Sequence, residues 1–245
     1  MKKNRDIKNT FGNKLKLAVV ATFFTVASPV VMADGWKGEG ELGATIASGN
    51  TDTKNLLAKL KLTKKIGPWA NEIGLSAINS TESDSTTAER YLITGKTARD
   101  LNEKFYAFGS AKYDKDRFSG FDHQATIAVG LGVHVIKTEK SSLDLEAGPG
   151  FRFSETDLGE SQDEVVLRAG LFYKNQLTPT THFLQDLVTE IGSDNTTIDS
   201  ETALKVKVSD NLALKASVIV KHNTDVPVGT GNSDTITALS AVYGF

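Results

Sequence analysis

The sequence predicts an all-β fold: a transmembrane antiparallel up-and-down β-barrel of about 12 strands, preceded by a cleaved signal peptide. Three observations carry this expectation. Past the N-terminus the chain reads as about twelve segments of roughly ten to thirteen residues in which apolar and polar residues alternate, as in a strand with two different faces. Short turns and longer polar loops separate these segments in alternation. The last segment, "SDTITALSAVYGF", keeps its alternation to the terminal Phe245. An even set of strands can therefore close its last member on its first and leave no edge.

Composition sets the outer bounds. The 245 residues include no cysteine, which excludes disulfides and thiolate metal sites. A net charge of −2 is too balanced for a nucleic-acid partner. With 24% charged and 39% hydrophobic residues, the bulk composition is that of an ordinary soluble domain, and only the pattern says otherwise. The start is different. "MKKNRDIKNTFGNKLK" is basic and is followed by the apolar run "LAVVATFFTVASPVVMA". Val31 and Ala33 are the small residues that precede a cleavage site before Asp34. The run is short for a membrane-spanning helix, and Pro29 interrupts it. Residues 1–33 read as a signal peptide and 34–245 as one barrel domain.

The elements follow in order. "WKGEGELGATIAS" sets Trp36, Leu42, Ala44 and Ile46 against Lys37, Glu39 and Glu41, and "SGNTDT" turns the chain. "KNLLAKLKLTKKI" sets Leu56, Ala58, Leu60 and Leu62 against Lys59, Lys61 and Lys65. "GPWA" is a tight turn with Pro68 in its second position. "NEIGLSAINS" sets Ile73, Leu75 and Ala77 against Glu72, Gly74 and Ser76, and "TESDSTTAE" is a polar loop. "RYLITGKTAR" opposes Tyr91 and Ile93 to Arg90, Thr94 and Lys96. "FYAFGSAKYD", "DHQATIAVGLGVHVI", "LDLEAGPGFRFS" and "EVVLRAGLFYKN" continue the plan, joined by "KDRFSGF", "KTEKSS" and "ETDLGESQD". After the turn "LTPT", "HFLQDLVTEI" alternates except at Gln185. "SETALKVKV" and "LALKASVIVKH" oppose apolar residues to lysines, and "NTDVPVGTGN" leads to the closing strand.

Periodicity alone leaves open which face is inside. In a soluble periplasmic ligand-binding β-barrel the apolar face is the interior; in an outer-membrane barrel it meets lipid and the polar face lines the lumen. Segment length favours the membrane, because globular strands are typically about five or six residues. The aromatics Trp36, Trp69, Tyr91, Tyr113, Tyr173, Phe183, Tyr243 and Phe245 sit near segment ends, where interfacial girdles belong. On this reading Glu39, Glu41, Lys59, Lys61, Arg90, Lys96, Asp144, Glu146, Arg152, Arg168, Asp186 and Lys205 point into the lumen. Charges this dense must pair or stay hydrated. Lys59 and Lys61 are expected to face Glu39 and Glu41, and Asp144 and Glu146 to face Arg168. The charges then form either a closed network or a narrow selective channel. Leu239, Tyr243 and Phe245 form an aromatic closing strand that resembles the signal read by the barrel assembly machinery. The expected partners are that machinery, outer-membrane lipid and lipopolysaccharide, in the cell outer membrane.

Chemistry was sought in the same residues. A nucleophilic or acid–base site needs a histidine near a serine or near carboxylates. His123 and His222 fall near the loop-side rim with Asp116, Asp122 and Asp225, but on strands six and eleven; His134 and His182 face the lumen or its mouth. No serine motif marks a nucleophile, so a non-enzyme without catalytic residues, cofactor or metal site is expected, with a rim-site outer-membrane enzyme as the alternative. "TESDSTTAE", "ETDLGESQDE" and "SDNTTIDSE" suit hard cations but lack EF-hand spacing. The milder expectation is that they share Ca²⁺ or Mg²⁺ with lipopolysaccharide phosphates.

"GWKGEGELGATIASGNTDTKNL", with Trp36, Gly40 and Gly43 and then Ser48, Gly49, Asn50 and Thr51, resembles the opening of a bacterial family named for salt-induced outer membrane proteins, a domain of unknown function. "YAFGSAKYDKDRFSGFDHQATIAVGLG", with Asp114, Asp116, Phe118, Gly130 and Gly132, resembles that family's central hairpin, and "LDLEAGPGFRF" its next strand. The resemblance covers essentially all of 34–245 and implies an outer-membrane barrel without established catalytic residues. The expected role is a narrow pore, or an envelope-integrity barrel responding to salt or osmotic stress; the salt link comes from the resemblance alone.

Overall fold

The computed structural model describes residues 35–47, 53–82, 85–117, 119, 121–156, 159–226 and 231–245. The expected signal peptide, the Ser48–Thr51 turn and Phe118 lie outside the described residues. Among those described, twelve strands follow one another: β1 (Lys37–Ala47), β2 (Thr53–Ile66), β3 (Trp69–Glu82), β4 (Ser85–Asp100), β5 (Phe105–Asp116), β6 (Phe121–Lys137), β7 (Ser141–Thr156), β8 (Glu164–Gln176), β9 (Thr181–Ile191), β10 (Thr196–Lys207), β11 (Leu212–Asn223) and β12 (Ser233–Gly244). Each pairs antiparallel with its sequence neighbour, and β12 pairs with β1 to close the barrel. Closure leaves no unpaired edge strand among those described.

The alternation resolves into two opposite faces. Outward residues are apolar and uncovered: Val165 is 69% exposed, Leu239 67% and Val129 62%, with Ile127, Leu131, Ile93, Leu214 and Leu167 beside them. Inward residues are charged and buried: Arg152 is 1% exposed, Glu190 2%, Lys221 3% and Glu146 4%. This arrangement inverts that of a soluble barrel, whose apolar face is its core. Outward aromatics mark both ends. At the end carrying the short turns, Lys64 lies over Trp36 at 5.7 Å and Arg99 over Trp69 at 5.5 Å. At the other end Tyr113 stacks on His123, and Phe151 packs against Phe153.

Two local expectations are corrected, and one strand carries an irregularity. Ile66 pairs with Trp69, so the β2–β3 turn is Gly67–Pro68; Gly67 holds φ 57° at the second position and Pro68 stands third. A two-residue hairpin needs that left-handed glycine. The polar loop expected at "TESDSTTAE" is mostly strand, because Thr81 pairs with Thr86 and Glu82 with Ser85 across a register shift. Threonine and serine suit a strand whose faces are both wet. Within β7, Pro149 has no N–H to give, and the β6–β7 register passes from Ala128–Gly150 to Leu131–Ala147 without pairing Pro149 to Val129.

The closing seam is the shortest. β1 and β12 pair from Glu39–Gly244 to Ala44–Leu239, whereas β2 and β3 pair from Thr53–Glu82 to Ile66–Trp69. Beyond the seam's turn-side end, Gly38 and Phe245 exchange two backbone hydrogen bonds of 2.8 and 2.9 Å. The Phe245 ring occupies the space where a Cβ on residue 38 would stand, so any larger residue there would displace the ring. Inside the loop-side half, Leu57, Ile78, Ile219, Ile236 and Ala238 form an apolar cluster between β2–β3 and β11–β12 that fills this part of the lumen.

Candidate functional site

The lumen is the candidate site, and register places its residues. All twelve charges singled out from sequence take inward positions. Glu39 stands opposite Lys61 and Glu41 opposite Lys59 across β1–β2. Glu146 and Asp144 lie on the inward register of β7, Arg168 on β8, and Asp186 and Lys205 on β9 and β10. The ion pairs, however, leave the first hairpin: Lys61 pairs diagonally with Glu72 on β3, Lys215 with Glu201 on the neighbouring β10, and the others span two to four strands of the lumen wall. Lys59 bonds Glu201 at 2.6 Å, Lys61 bonds Glu72 at 2.8 Å, Lys205 bonds Glu39 at 2.7 Å, and Lys215 bonds both Glu41 at 2.8 Å and Glu201 at 2.6 Å. A lysine stem reaches across a small barrel, so register neighbours are only one of its choices. Arg168 does reach Glu146, at 2.8 Å, but Asp144 is held by His134 at 2.6 Å.

The loop-side half carries a continuous network. Lys221 on β11 bonds Asp114 at 3.0 Å and Asp116 at 2.9 Å on β5. Arg90 on β4 donates to Asp114 through Nε and Nη2, both at 2.8 Å, and Nη2 also reaches Asp199 on β10 at 2.8 Å. Lys112 joins Asp199 at 3.6 Å to Glu190 on β9 at 2.8 Å. Arg152 on β7 stands 3.9 Å from Glu190 and pairs with Glu164 on β8. Strands β4 and β10, like β5 and β11, stand half a turn apart in the ring. Direct pairs between them mean that side chains bridge the lumen at this level. Phe121, Gln124, Ser154 and Asn223 are buried beside the network, and Asn195 bonds Asn223 at 3.3 Å.

Below the network the lumen opens. A cavity of about 310 Å³ is lined by Ser76, Thr94, Ser110 and Phe172 and floored by Arg90, Lys112 and Asp199. It shares Lys59, Lys61, Phe172, Asp186 and Glu201 with a cavity of about 970 Å³ that reaches the turn end between Trp36, Lys174, Lys207 and Phe245. On the cavity wall, Glu146 accepts hydrogen bonds from Arg168 at 2.8 Å and Tyr106 at 2.9 Å and pairs with Lys96. The Lys96 ammonium lies 4.7 Å from the Phe172 ring centre, and Arg168 stacks 5.0 Å from that of Phe108. Tyr106 and Phe108 lie over Gly132 and Gly130 of the next strand, where any Cβ would collide with the rings.

Of the network, only Arg90 and Arg152 were among the twelve charges singled out; Lys112, Asp114, Asp116, Glu164, Glu190, Asp199 and Lys221 were not. The signal was available: Asp114 and Asp116 share the parity of Lys112, Asp199 that of Lys205, and Lys221 that of Lys215. Of the histidines, His123 and His222 face outward on β6 and β11; His222 Nδ1 contacts Ser233 Oγ at 2.7 Å, and His123 Nδ1 contacts Asp122 at 3.0 Å. His134 and His182 face inward. Leu239, Tyr243 and Phe245 share the outward register of β12 and its end, beside β1 and β11.

Comparison with known proteins follows from this geometry. The chain is similar to "Uncharacterized protein YdiY" of Escherichia coli (strain K12), with 28% identity over 231 residues, covering 94% of this chain and 91% of that protein. Among solved structures it is similar to the translocator domain of autotransporter NalP from Neisseria meningitidis, at TM-score 0.48 and 13% identity, over 95% of this chain and 96% of that one. It is also similar to the NanC porin, at TM-score 0.48 and 11% identity, over 85% and 97%. The family model described as "Protein of unknown function, DUF481" matches residues 40–245, and the chain belongs to that family.

Proposed function

We propose that this barrel spans the outer membrane and works as a narrow pore whose resting state is closed by the cross-lumen ion pairs. The observation that carries the proposal is the inversion of faces: an apolar outer belt around a charged, partly hollow interior. A contiguous apolar surface of this extent is not tolerated by a monomer in water, whereas a bilayer rewards it. Short turns at one end and longer loops at the other orient the turn end to the periplasm. The open cavities then face the periplasm, and the network lies toward the outer surface.

Closure by salt bridges rather than by an apolar plug makes the seal breakable. Each charge stays where it is only while its partner holds it, and removing one partner leaves a buried charge that draws in water. A second reading, an envelope-integrity barrel that never conducts, is supported by the filled loop-side half; a response to salt stress belongs to that reading and draws on the family resemblance alone.

Planar-bilayer recording separates the two. The wild-type barrel is expected to be silent apart from rare brief openings. Arg90→Ala/Lys221→Ala, which unlinks both diametric pairs, is expected to give steady steps with cation preference, because Asp114, Asp116 and Asp199 remain. Steady wild-type steps as large as the variant's would overturn the closed resting state. A folded but silent variant would overturn the pore and leave the integrity barrel.

A further inference from the structure

We propose that the turn-end mouth of the lumen is a binding site for a small polyvalent anion of carboxylate or phosphate type. His182 on β9 stands directly opposite Lys205 on β10, which stands directly opposite Lys215 on β11. Lys174 on β8 is paired with Leu184, one inward step from His182 on the same wall. Four basic side chains thus adjoin on four neighbouring strands, all facing the 970 Å³ cavity, with Lys207 at its lip. Among the described residues the acids of this wall flank the ladder rather than interrupt it: Asp186 lies deeper on β9, Asp144 on β7 is one inward step from Ser142 opposite Lys174, and Asp210 sits in the β10–β11 turn.

The fold neutralises only part of this ladder. Lys215 is held by Glu41 and Glu201, Lys205 by Glu39 from β1, three strands away, and Lys207 by Asp210 in the adjacent turn. Among the described residues, Lys174 and His182 have no carboxylate partner, and Lys174 is exposed to the cavity. Like charges directly across a strand pair cost stability. A sequence that places them there, and then supplies counter-ions elsewhere in the same lumen, leaves room for a counter-ion that comes and goes. Charge-assisted hydrogen bonds from lysine and imidazole suit a carboxylate or phosphate. A ligand with more than one negative group would bridge Lys174, His182 and the half-exposed Lys205–Glu39 pair.

The inference rests on the membrane reading only in assigning this mouth to the periplasm; binding itself is measured without a bilayer. The full chain is refolded in detergent micelles and titrated calorimetrically with citrate, with inorganic phosphate, and with glycerol as a neutral control. One saturable site is expected for at least one anion and none for glycerol. Tighter citrate assigns a carboxylate ligand, and tighter phosphate a phosphate. Lys174→Met/His182→Gln relieves repulsion and is expected to fold; it should weaken binding by about tenfold or more, as loss of a charge-assisted contact implies. Lys174→Glu should abolish binding, and Lys137→Met, at the end of β6 outside the cavity, should change nothing. Failure of both anions to saturate, or unchanged affinity in the double variant, overturns the site. A silent bilayer recording leaves it standing.

Discussion

Glu146 shows how much of this barrel is decided by single side chains. Its carboxylate is fully enclosed and receives Lys96, Arg168 and the Tyr106 hydroxyl, while Lys96 and Arg168, packed against the rings of Phe172 and Phe108, stand between it and the cavity. Such a site is stable only when complete, since two buried cations without their anion cost far more than the pair gains. Glu146→Ala is therefore expected to destabilise the refolded barrel by about 3–5 kcal/mol, read from its urea midpoint in micelles. Glu146→Gln, which keeps an acceptor, should cost less. A loss below about 1 kcal/mol for the alanine variant would mean that water replaces the carboxylate and that this wall is open to the cavity. The space left at Gly130 and Gly132, which have no side chains, makes the floor on which the two rings lie.

At the scale of the element, the closing strand is the most exposed to failure. β12 is bound to β11 along its whole length but to β1 over a shorter run. The Gly38–Phe245 hydrogen bonds lengthen that run by one step, and the Phe245 ring covers the glycine. Deleting Phe245 is expected to lower the folded fraction, seen as loss of the fast-migrating, heat-modifiable band in cold gel electrophoresis. Phe245→Ala, which retains the backbone bonds, should lower it less. Equal folding of all three chains would remove any structural role for the terminal residue. Strand identity and facing were legible in the sequence because alternation is a local property: one parity error would have turned a whole strand inside out, and none occurred among the twelve charges singled out. Loop ends were less legible. Serine and threonine read equally as loop and as the wet end of a strand, so β3, β4 and β7 run further than their apolar residues suggested.

For the whole molecule, the sequence set out the choice between a closed network and a wet channel, and the structure places a network of cross-lumen ion pairs at one level and open cavities below it. Which carboxylate meets which cation depends on barrel cross-section and on the reach of long side chains, neither of which is written in strand periodicity. That is why Asp199 and Lys221, ordinary alternating residues in the text of the chain, become members of the seal. The absence of cysteine from the sequence makes the seal directly measurable, because any introduced thiol is the only one present. Ser110 lines the cavity on the turn side of the network, and Ser154 is buried on the loop side of it. The most direct measurement is the labelling of Ser110→Cys and Ser154→Cys barrels in oriented vesicles by a membrane-impermeant thiol reagent added to one side at a time. A lumen closed between the two positions predicts that residue 110 reacts from the turn side only and residue 154 from the loop side only. Reaction of the residue-110 thiol at similar rates from both sides would contradict it and mean that the ion pairs do not seal the barrel.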